Sequence, residues 1–368
     1  MELLVELSLL DSWGFGPSFA LACSSLLQPD LAPARVLSDL GAHLEVVTAS
    51  CPARSAQLSG RLRHTLRPHQ LPTVGDWVAI ADPGDAAEPA IVHHVLPRRT
   101  QLVRWAAGRR DEEQVVAANV DTFFVVTSAN RDANARRLER YLTAVWDGGA
   151  VPVVVVNKID LYQAGELAEE LTALAQIAPG VAIVPVSAHH GAGLGGLAAY
   201  LRPGHTIALI GSSGVGKSSL VNCLLGRDQQ AVELIDDNDR GRHATTRRQL
   251  FALPTGGLVI DTPGMRSFGL LDTGGGLDEA FADVATLATA CRFRDCQHRG
   301  EPGCAIDAAI DAGKLDPARR DGLHKLEREL AAAERRRDPA LAREDRARTK
   351  AINKSLRARG KVDPKLQR

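Results

Sequence analysis

The sequence predicts a multidomain fold: an N-terminal β-barrel of the OB type, a central doubly wound α/β domain, and a C-terminal α-helical domain tied by a metal. Three observations carry this reading. Short β-branched runs punctuated by Gly and Pro fill the first quarter, apolar strands then alternate with helical stretches, and three cysteines and a histidine cluster beyond residue 290. A chain of 368 residues has room for that many cores.

Residues 1–32 are weakly patterned, with a short helix and a Gly14-Phe15-Gly16-Pro17 turn. The barrel strands are read at Arg35–Leu37, Leu44–Thr48, Ala56–Leu62, Asp76–Ile80 and Ala90–Val95, separated by Gly41, Pro52, Pro72, Gly75 and Pro83-Gly84. Arg98–Glu113 is charged and polar and reads as a linker. The first domain is therefore set at residues 1–108.

The second domain, 109–273, holds the apolar runs Val120–Thr127, Val151–Val156, Val181–Val186, Thr206–Ile210 and Leu258–Ile260, suited to a buried parallel sheet. Helical stretches such as Ala135–Trp146 and Gly165–Ala175 lie between them. The third domain, 274–368, opens on Gly274-Gly275-Gly276, read as a hinge. A stripe of Leu323, Leu326 and Leu330 follows, before Pro339.

Composition sets limits. With 45% hydrophobic and 24% charged residues, the chain contains no apolar run of the ~20 residues that a membrane span needs. The acidic start Met1–Glu6 lacks a signal peptide's basic region. Six cysteines, three of them clustered, point to a metal site in a reducing cytoplasm rather than to disulfides. A net charge of zero conceals an asymmetry. From Arg346 to Arg368 there are nine basic residues against Asp363 alone, which favours contact with a polyanion over a solvated helix.

The chemistry resides in motifs on strand ends. Gly211, Ser212, Ser213, Gly214, Val215, Gly216, Lys217, Ser218 and Ser219 follow one apolar strand and open a helix, the context of a phosphate loop. Lys217 is expected on the β and γ phosphates and the Ser218 hydroxyl on Mg²⁺. Asp261, ending another strand, is a second Mg²⁺ ligand, and Gly264 offers its N–H to the γ-phosphate. Asn157-Lys158-Ile159-Asp160 ends a third strand. A carboxylate at Asp160 can pair with N1–H and the amine of guanine, a donor pair that adenine lacks, with Ser187 and Ala188 beside the guanine oxygen. These motifs predict a P-loop GTPase in circularly permuted order: base recognition first, then phosphate loop, then the two switches.

The metal cluster is Cys291-x₄-Cys296-x-His298-x₅-Cys304, with a Pro302-Gly303 turn before the last ligand. Four protein ligands close a tetrahedron and leave no open position, so one structural Zn²⁺ is expected. Cys23, Cys51 and Cys223 read as ordinary packed thiols, and the pairs His93-His94 and His189-His190 as strand or loop residues.

Taken together, the barrel and the permuted motifs resemble the circularly permuted GTPases of small ribosomal subunit biogenesis (RsgA type). Thr73–Val78 and Leu96–Arg99 are similar to that family's barrel signatures, and Gly241-Arg242-His243-Ala244-Thr245 is similar to its switch I. The zinc spacing also matches, and the likeness covers nearly the whole chain. Ala244 stands where the family has threonine, so the switch I ligand of nucleotide and Mg²⁺ is Thr245 or Thr246. The resemblance implies a cytoplasmic, monomeric checkpoint factor. It would act on the small (30S) ribosomal subunit and its 16S rRNA, be stimulated by the subunit, and leave after GTP hydrolysis.

Two other readings remain: an RNA-binding module that GTP merely locks, and a GTPase acting on another RNA. For catalysis, Met265 occupies the position after Asp-x-x-Gly where many GTPases carry glutamine. His243 is then the nearest polar candidate for orienting water, unless the ribosome completes the site. Gly214 replaces the asparagine with which some glutamine-lacking GTPases bind potassium. Because the zinc domain follows Gly264 directly, a γ-phosphate-dependent change there is expected to re-aim it.

Overall fold

The computed structural model describes residues 9–26, 28–85, 87–105, 113–128, 134–163, 165–226, 248–261 and 275–337. Strands β1 (Ala32–Asp39), β2 (Leu44–Val47), β3 (Arg54–Leu58), β4 (Trp77–Ala81) and β5 (Ala90–Val95) lie in the order β1-β2-β3-β5-β4. Pairing of Arg35 with Trp77, and of Ala32 with Ile80, closes β4 back onto β1. The β3–β5 pair is parallel and the others antiparallel, a closed five-stranded barrel of OB topology.

Strand periodicity explains what the barrel contains. Ala34, Val36, Val46, Ala56, Val78, Ile80, Ala90 and Val92 point inward and are fully buried. Each such Val or Ile contributes about 1.5–3 kcal/mol by burial. The residues that alternate with them face the neighbouring layers: Leu37 joins the core of the α/β domain, and Trp77 packs beneath Phe15 and Phe19, ring centroids 4.8 and 5.7 Å away. Phe19 belongs to helix α1 (Pro17–Ser24), so the weakly patterned N-terminal stretch seals the outside of β4.

The two barrel signatures meet. Asp76, fully buried, accepts from Arg98 Nε and Nη2 at 2.8 and 2.7 Å and from the Thr73 N–H at 2.8 Å. Burial raises its carboxyl above the ordinary range, against the pull of Arg98.

Two expectations for the barrel and the stretch after it differ from the structure. The third barrel run stops at Leu58, because the Ser59 hydroxyl accepts from the Leu62 N–H and starts helix α2 (Gly60–Thr65). The stretch read as a linker instead contributes a hairpin, β6 (Gln101–Trp105) with β7 (Glu113–Ala118), whose Leu102, Val115 and Val116 are buried. Charged residues between the strands conceal these two short apolar runs.

The α/β domain supplies β8 (Thr122–Ser128), β9 (Val151–Asn157), β10 (Ala182–Pro185), β11 (Thr206–Gly211), β12 (Gln249–Ala252) and β13 (Leu258–Asp261). Their order, β10-β9-β8-β11-β13-β12, is parallel except for β12, which runs antiparallel to β13. Helices α3 (Ala135–Asp147) and α4 (Glu166–Ile177) connect the first strands, and α5 (Lys217–Leu224) follows β11. Pairing of Ser38 with Gln249 joins the sheet to the barrel. At that junction the fully buried Arg35 donates to Gly75 O, Asn119 O and Thr206 Oγ1, and burial lowers its pKa to about 10.

The C-terminal helices are α6 (Gly276–Ala280), α7 (Ala282–Ala288), α8 (Ala305–Asp311) and α9 (Pro317–Arg337). They share one core with α3 and the sheet: Leu138, Leu142 and Val145 meet Phe281, Val284, Ile306, Leu326 and Leu330. Gly276, expected in a hinge, is clamped instead. Its N–H donates to Asp147 Oδ1 at 2.7 Å, and a Cβ there would stand 2.4 Å from Thr143 O. Glycine serves close approach here, and Gly274 lies outside the described residues. Among the described residues, no helix is long and apolar enough to cross a membrane.

Candidate nucleotide site and metal centre

Parallel strands β9, β10 and β11 all deliver their C-terminal ends to one edge of the sheet, where open α/β sheets hold ligands. The motifs separated in sequence therefore come together. Asn157, at the end of β9 and 1% exposed, donates from Nδ2 to Val215 O at 3.0 Å and accepts the Ala188 N–H on Oδ1 at 3.0 Å. One amide thus braces the phosphate loop against the Ser187–Ala188 turn. Lys158, held in the left-handed region at φ 62°, extends its ammonium to Gly214 O at 2.7 Å.

Asp160 accepts from the Ser187 hydroxyl, which itself accepts the His190 N–H at 3.2 Å. That hydroxyl, more than anything else nearby, holds the Asp160 carboxyl below its ordinary range. An exposed carboxylate, fixed at one oxygen by Ser187, retains acceptor capacity for a base edge.

The phosphate loop leaves β11 at Gly211, whose φ of +146° and close approach to Val126 O require glycine. Gly216, at φ +90°, caps α5 where a Cβ would stand 2.3 Å from Asn157 Nδ2. Lys217 donates to Gly211 O at 2.8 Å and to Ser212 O, while Ser213, Gly214, Ser218 and Ser219 lie along the loop and first helical turn. Backbone N–H groups converging at a helix start suit phosphate oxygens. Asp261 ends β13. A hard cation beside phosphates takes oxygen donors, and the Ser218 hydroxyl with the Asp261 carboxylate fits Mg²⁺ in donor type.

The remaining predicted residues of the site, His243 and Thr245 with Thr246, and Gly264 with Met265, lie outside the described residues, as does the basic run Arg346–Arg368. Sequence reasoning missed one contributor. Arg137, on the first turn of α3, donates to the Ser212 hydroxyl, a pairing that no motif announces.

The cysteine cluster assembles as its spacing implies. One donor atom from each of Cys291, Cys296, His298 and Cys304 lies within 4.8 Å of all the others. His298 Nδ1 is 3.7 Å from Cys291 Sγ and 3.6 Å from Cys304 Sγ. Tetrahedral Zn²⁺ with ordinary bond lengths sets sulfur and nitrogen ligands about 3.6 Å apart, so the donors fit that ion in type and the two histidine–cysteine distances fit it in spacing. His298 reaches its place at φ 57°, and Cys304 heads α8 with Sγ accepting the Asp307 N–H at 3.5 Å.

The profile of the RsgA GTPase family matches residues 95–271. A small ribosomal subunit biogenesis GTPase RsgA of Opitutus terrae is 45% identical over 369 aligned residues, covering 96% of this chain and 98% of that one. One of Streptomyces coelicolor is 43% identical over 353 residues, covering 95% and 94%. Among solved structures, YjeQ from Thermotoga maritima aligns with TM-score 0.61 and 25% identity over 82% of this chain and 99% of its own. YloQ, a circularly permuted GTPase, aligns with TM-score 0.59 and 23% identity over 82% and 96%, a likeness of fold.

Proposed function

The chain belongs to the RsgA GTPase family, and from that premise we propose that this enzyme couples GTP hydrolysis to late maturation of the small ribosomal subunit. In this reading it is a cytoplasmic, monomeric checkpoint factor that contacts 16S rRNA, is stimulated by the subunit, and departs after hydrolysis. The ribosomal part of the proposal rests on the relatives' names, and the observation that carries its nucleotide part is the Asn157 amide. It joins the base-recognition loop, the Ser187–Ala188 turn and the phosphate loop into one hydrogen-bonded site, although the chain visits them in permuted order.

Guanine is selected because the Asp160 carboxylate accepts from N1–H and the exocyclic amine, while Lys158 lies along the base. The loop from Gly211 to Ser219 wraps the phosphates with its N–H groups, and Lys217 turns its ammonium from the loop carbonyls to the β and γ oxygens. Ser218, Asp261 and a switch I threonine (Thr245 in the first instance) would hold Mg²⁺, which would supply positive charge beside the transferring phosphoryl group. Gly264 donates its N–H to the γ-phosphate. His243 accepts a hydrogen bond from the attacking water and holds it in line. Cys291, Cys296, His298 and Cys304 would hold one Zn²⁺, which would order the loops that lead into α8. The 1–108, 109–273 and 274–368 segments act as barrel, GTPase and zinc domain, with the β6–β7 hairpin bridging the first boundary.

Co-sedimentation with purified small subunits tests the cycle. The protein is expected to pellet with subunits in a non-hydrolysable GTP analogue and to remain in the supernatant in GDP. Equal pelleting in both nucleotides would overturn the release step, and no pelleting in either would overturn the partner.

A further inference from the structure

Helix α3 touches two things that the mechanism treats separately. Its first turn begins at the Asn134 cap, whose Oδ1 accepts the Arg137 N–H at 3.3 Å, and the Arg137 guanidinium donates to the Ser212 hydroxyl of the phosphate loop. Ser212 is thereby held twice, since its carbonyl accepts from Lys217. The next residues along the helix hold the C-terminal module. Glu139 Oε1 accepts from Arg319 Nη1 at 2.9 Å, Arg140 Nη2 donates to both oxygens of Glu329 at 3.0 and 2.8 Å, and Asp147 at the far end receives the Gly276 N–H. Leu138, Leu142 and Val145 are buried between sheet and module, which fixes the roll of the helix. A helix of thirteen residues is about 20 Å of stiff rod.

We propose that Arg137 is a positioning residue for the GTPase reaction. It sets the phosphate loop through Ser212 and, because α3 moves as one body, ties that loop to the docked C-terminal helices. The proposal rests on the phosphate loop being the GTP site. It places a second connection between nucleotide and module beside the covalent one that leads on from Gly264. The Ser212 side chain is not a phosphate ligand in the mechanism above, so Arg137 acts through the loop rather than on substrate. Coupling of this kind is reciprocal: if the docked module steadies the loop for GTP, then GTP steadies the docked module.

The test combines GTP affinity with amide exchange in the full-length protein. Arg137→Ala and Ser212→Ala are each expected to weaken GTP binding by about tenfold, the share of one charge-assisted hydrogen bond, and the double variant by no more than either. Arg137→Lys is expected to recover part of the loss. In the wild type, saturating GTP should slow exchange in Arg319–Leu330; in Arg137→Ala at saturating GTP that response should be absent. A purely structural role for Arg137 would lower thermal stability and leave the exchange response to GTP intact. Wild-type affinity in both single variants, or a wild-type exchange response in Arg137→Ala, overturns the proposal. Should Arg137→Ala fail to fold, Ser212→Ala alone decides by the same two readouts. Lys217→Ala separates the two levels of failure. If it abolishes binding while Arg137→Ala is silent, the positioning role falls alone; if it too binds GTP normally, the site reading falls and takes this role with it.

Discussion

Arg319 is the side chain whose removal should damage the C-terminal module most. It donates to Glu139 at 2.9 Å and to Asp283 at 2.6 Å, to the carbonyls of Ile177 and Ala280, and stacks on Phe281 at 4.4 Å. The Arg319 and Glu139 side chains are 6% and 4% exposed. At 2.9 Å and an effective dielectric near 20, their attraction is about 6 kcal/mol, most of it offset by desolvation of both ions. Arg319→Met removes the attraction but leaves Glu139 buried, so the expected loss is about 3–5 kcal/mol at pH 7, borne by α6–α9 and their packing on α3.

Burial already raises the Glu139 carboxyl, with Arg319 as the main opposing influence. Without Arg319 it rises further. A carboxyl whose folded pKa exceeds its unfolded one destabilises the fold when ionised, and that cost disappears as pH falls through the folded value. The gap between variant and wild type should therefore be largest at neutral pH and narrow on acidification towards the ordinary glutamate range. Adding Glu139→Gln should recover a large part of the loss at neutral pH and abolish this pH dependence. Urea titrations from pH 5 to 8, with amide exchange read separately in α3 and α9, measure the wild type and both variants. A loss below about 1 kcal/mol, or a gap that does not change with pH, would mean that the pair behaves as a solvent-screened surface bridge and that Glu139 carries no buried charge.

Asp160→Asn should weaken GTP by about 10- to 150-fold and favour xanthosine triphosphate, which presents the matching acceptor; unchanged preference in competition binding would remove Asp160 from base recognition. Purified protein should carry one zinc by elemental analysis, and chelation or Cys304→Ser should speed exchange across residues 291–311 while GTP binding, though weakened through the module, is not abolished. Metal-free protein with normal exchange would discount the centre. Deleting Arg346–Arg368 should flatten the salt dependence of subunit binding, by roughly 0.7–0.9 in log–log slope for every phosphate that the tail neutralises; an unchanged slope would assign the tail to solvent.

Much of this molecule was legible because its signals are local. Parallel strands such as Val151–Val156 are continuous apolar runs, the phosphate loop announces itself by glycines that only one backbone path can use, and the cysteine–histidine cluster declares itself by spacing. The α3 network was not legible. Glu139 and Arg319 are 180 residues apart and each reads as an ordinary exposed charge on a helix; only packing makes them partners. Arg137 was hidden for the same reason, since Arg136 and Arg140 beside it look equivalent in sequence. The β6–β7 hairpin was obscured by the charged residues that lie between its two strands in the sequence. Gly276 was misread because glycine marks freedom and close approach alike, and which one applies depends on the neighbour, here the Thr143 carbonyl and Asp147.

Coupling of hydrolysis to the ribosomal subunit is decided by single-turnover GTP hydrolysis, measured with and without purified small subunits in wild type and His243→Ala. Either protein alone should hydrolyse GTP slowly, and the subunit should strongly accelerate the wild type. The variant should lose on the order of 100-fold in that accelerated rate while retaining GTP affinity. Wild-type rates that are the same with and without subunits would contradict the coupling.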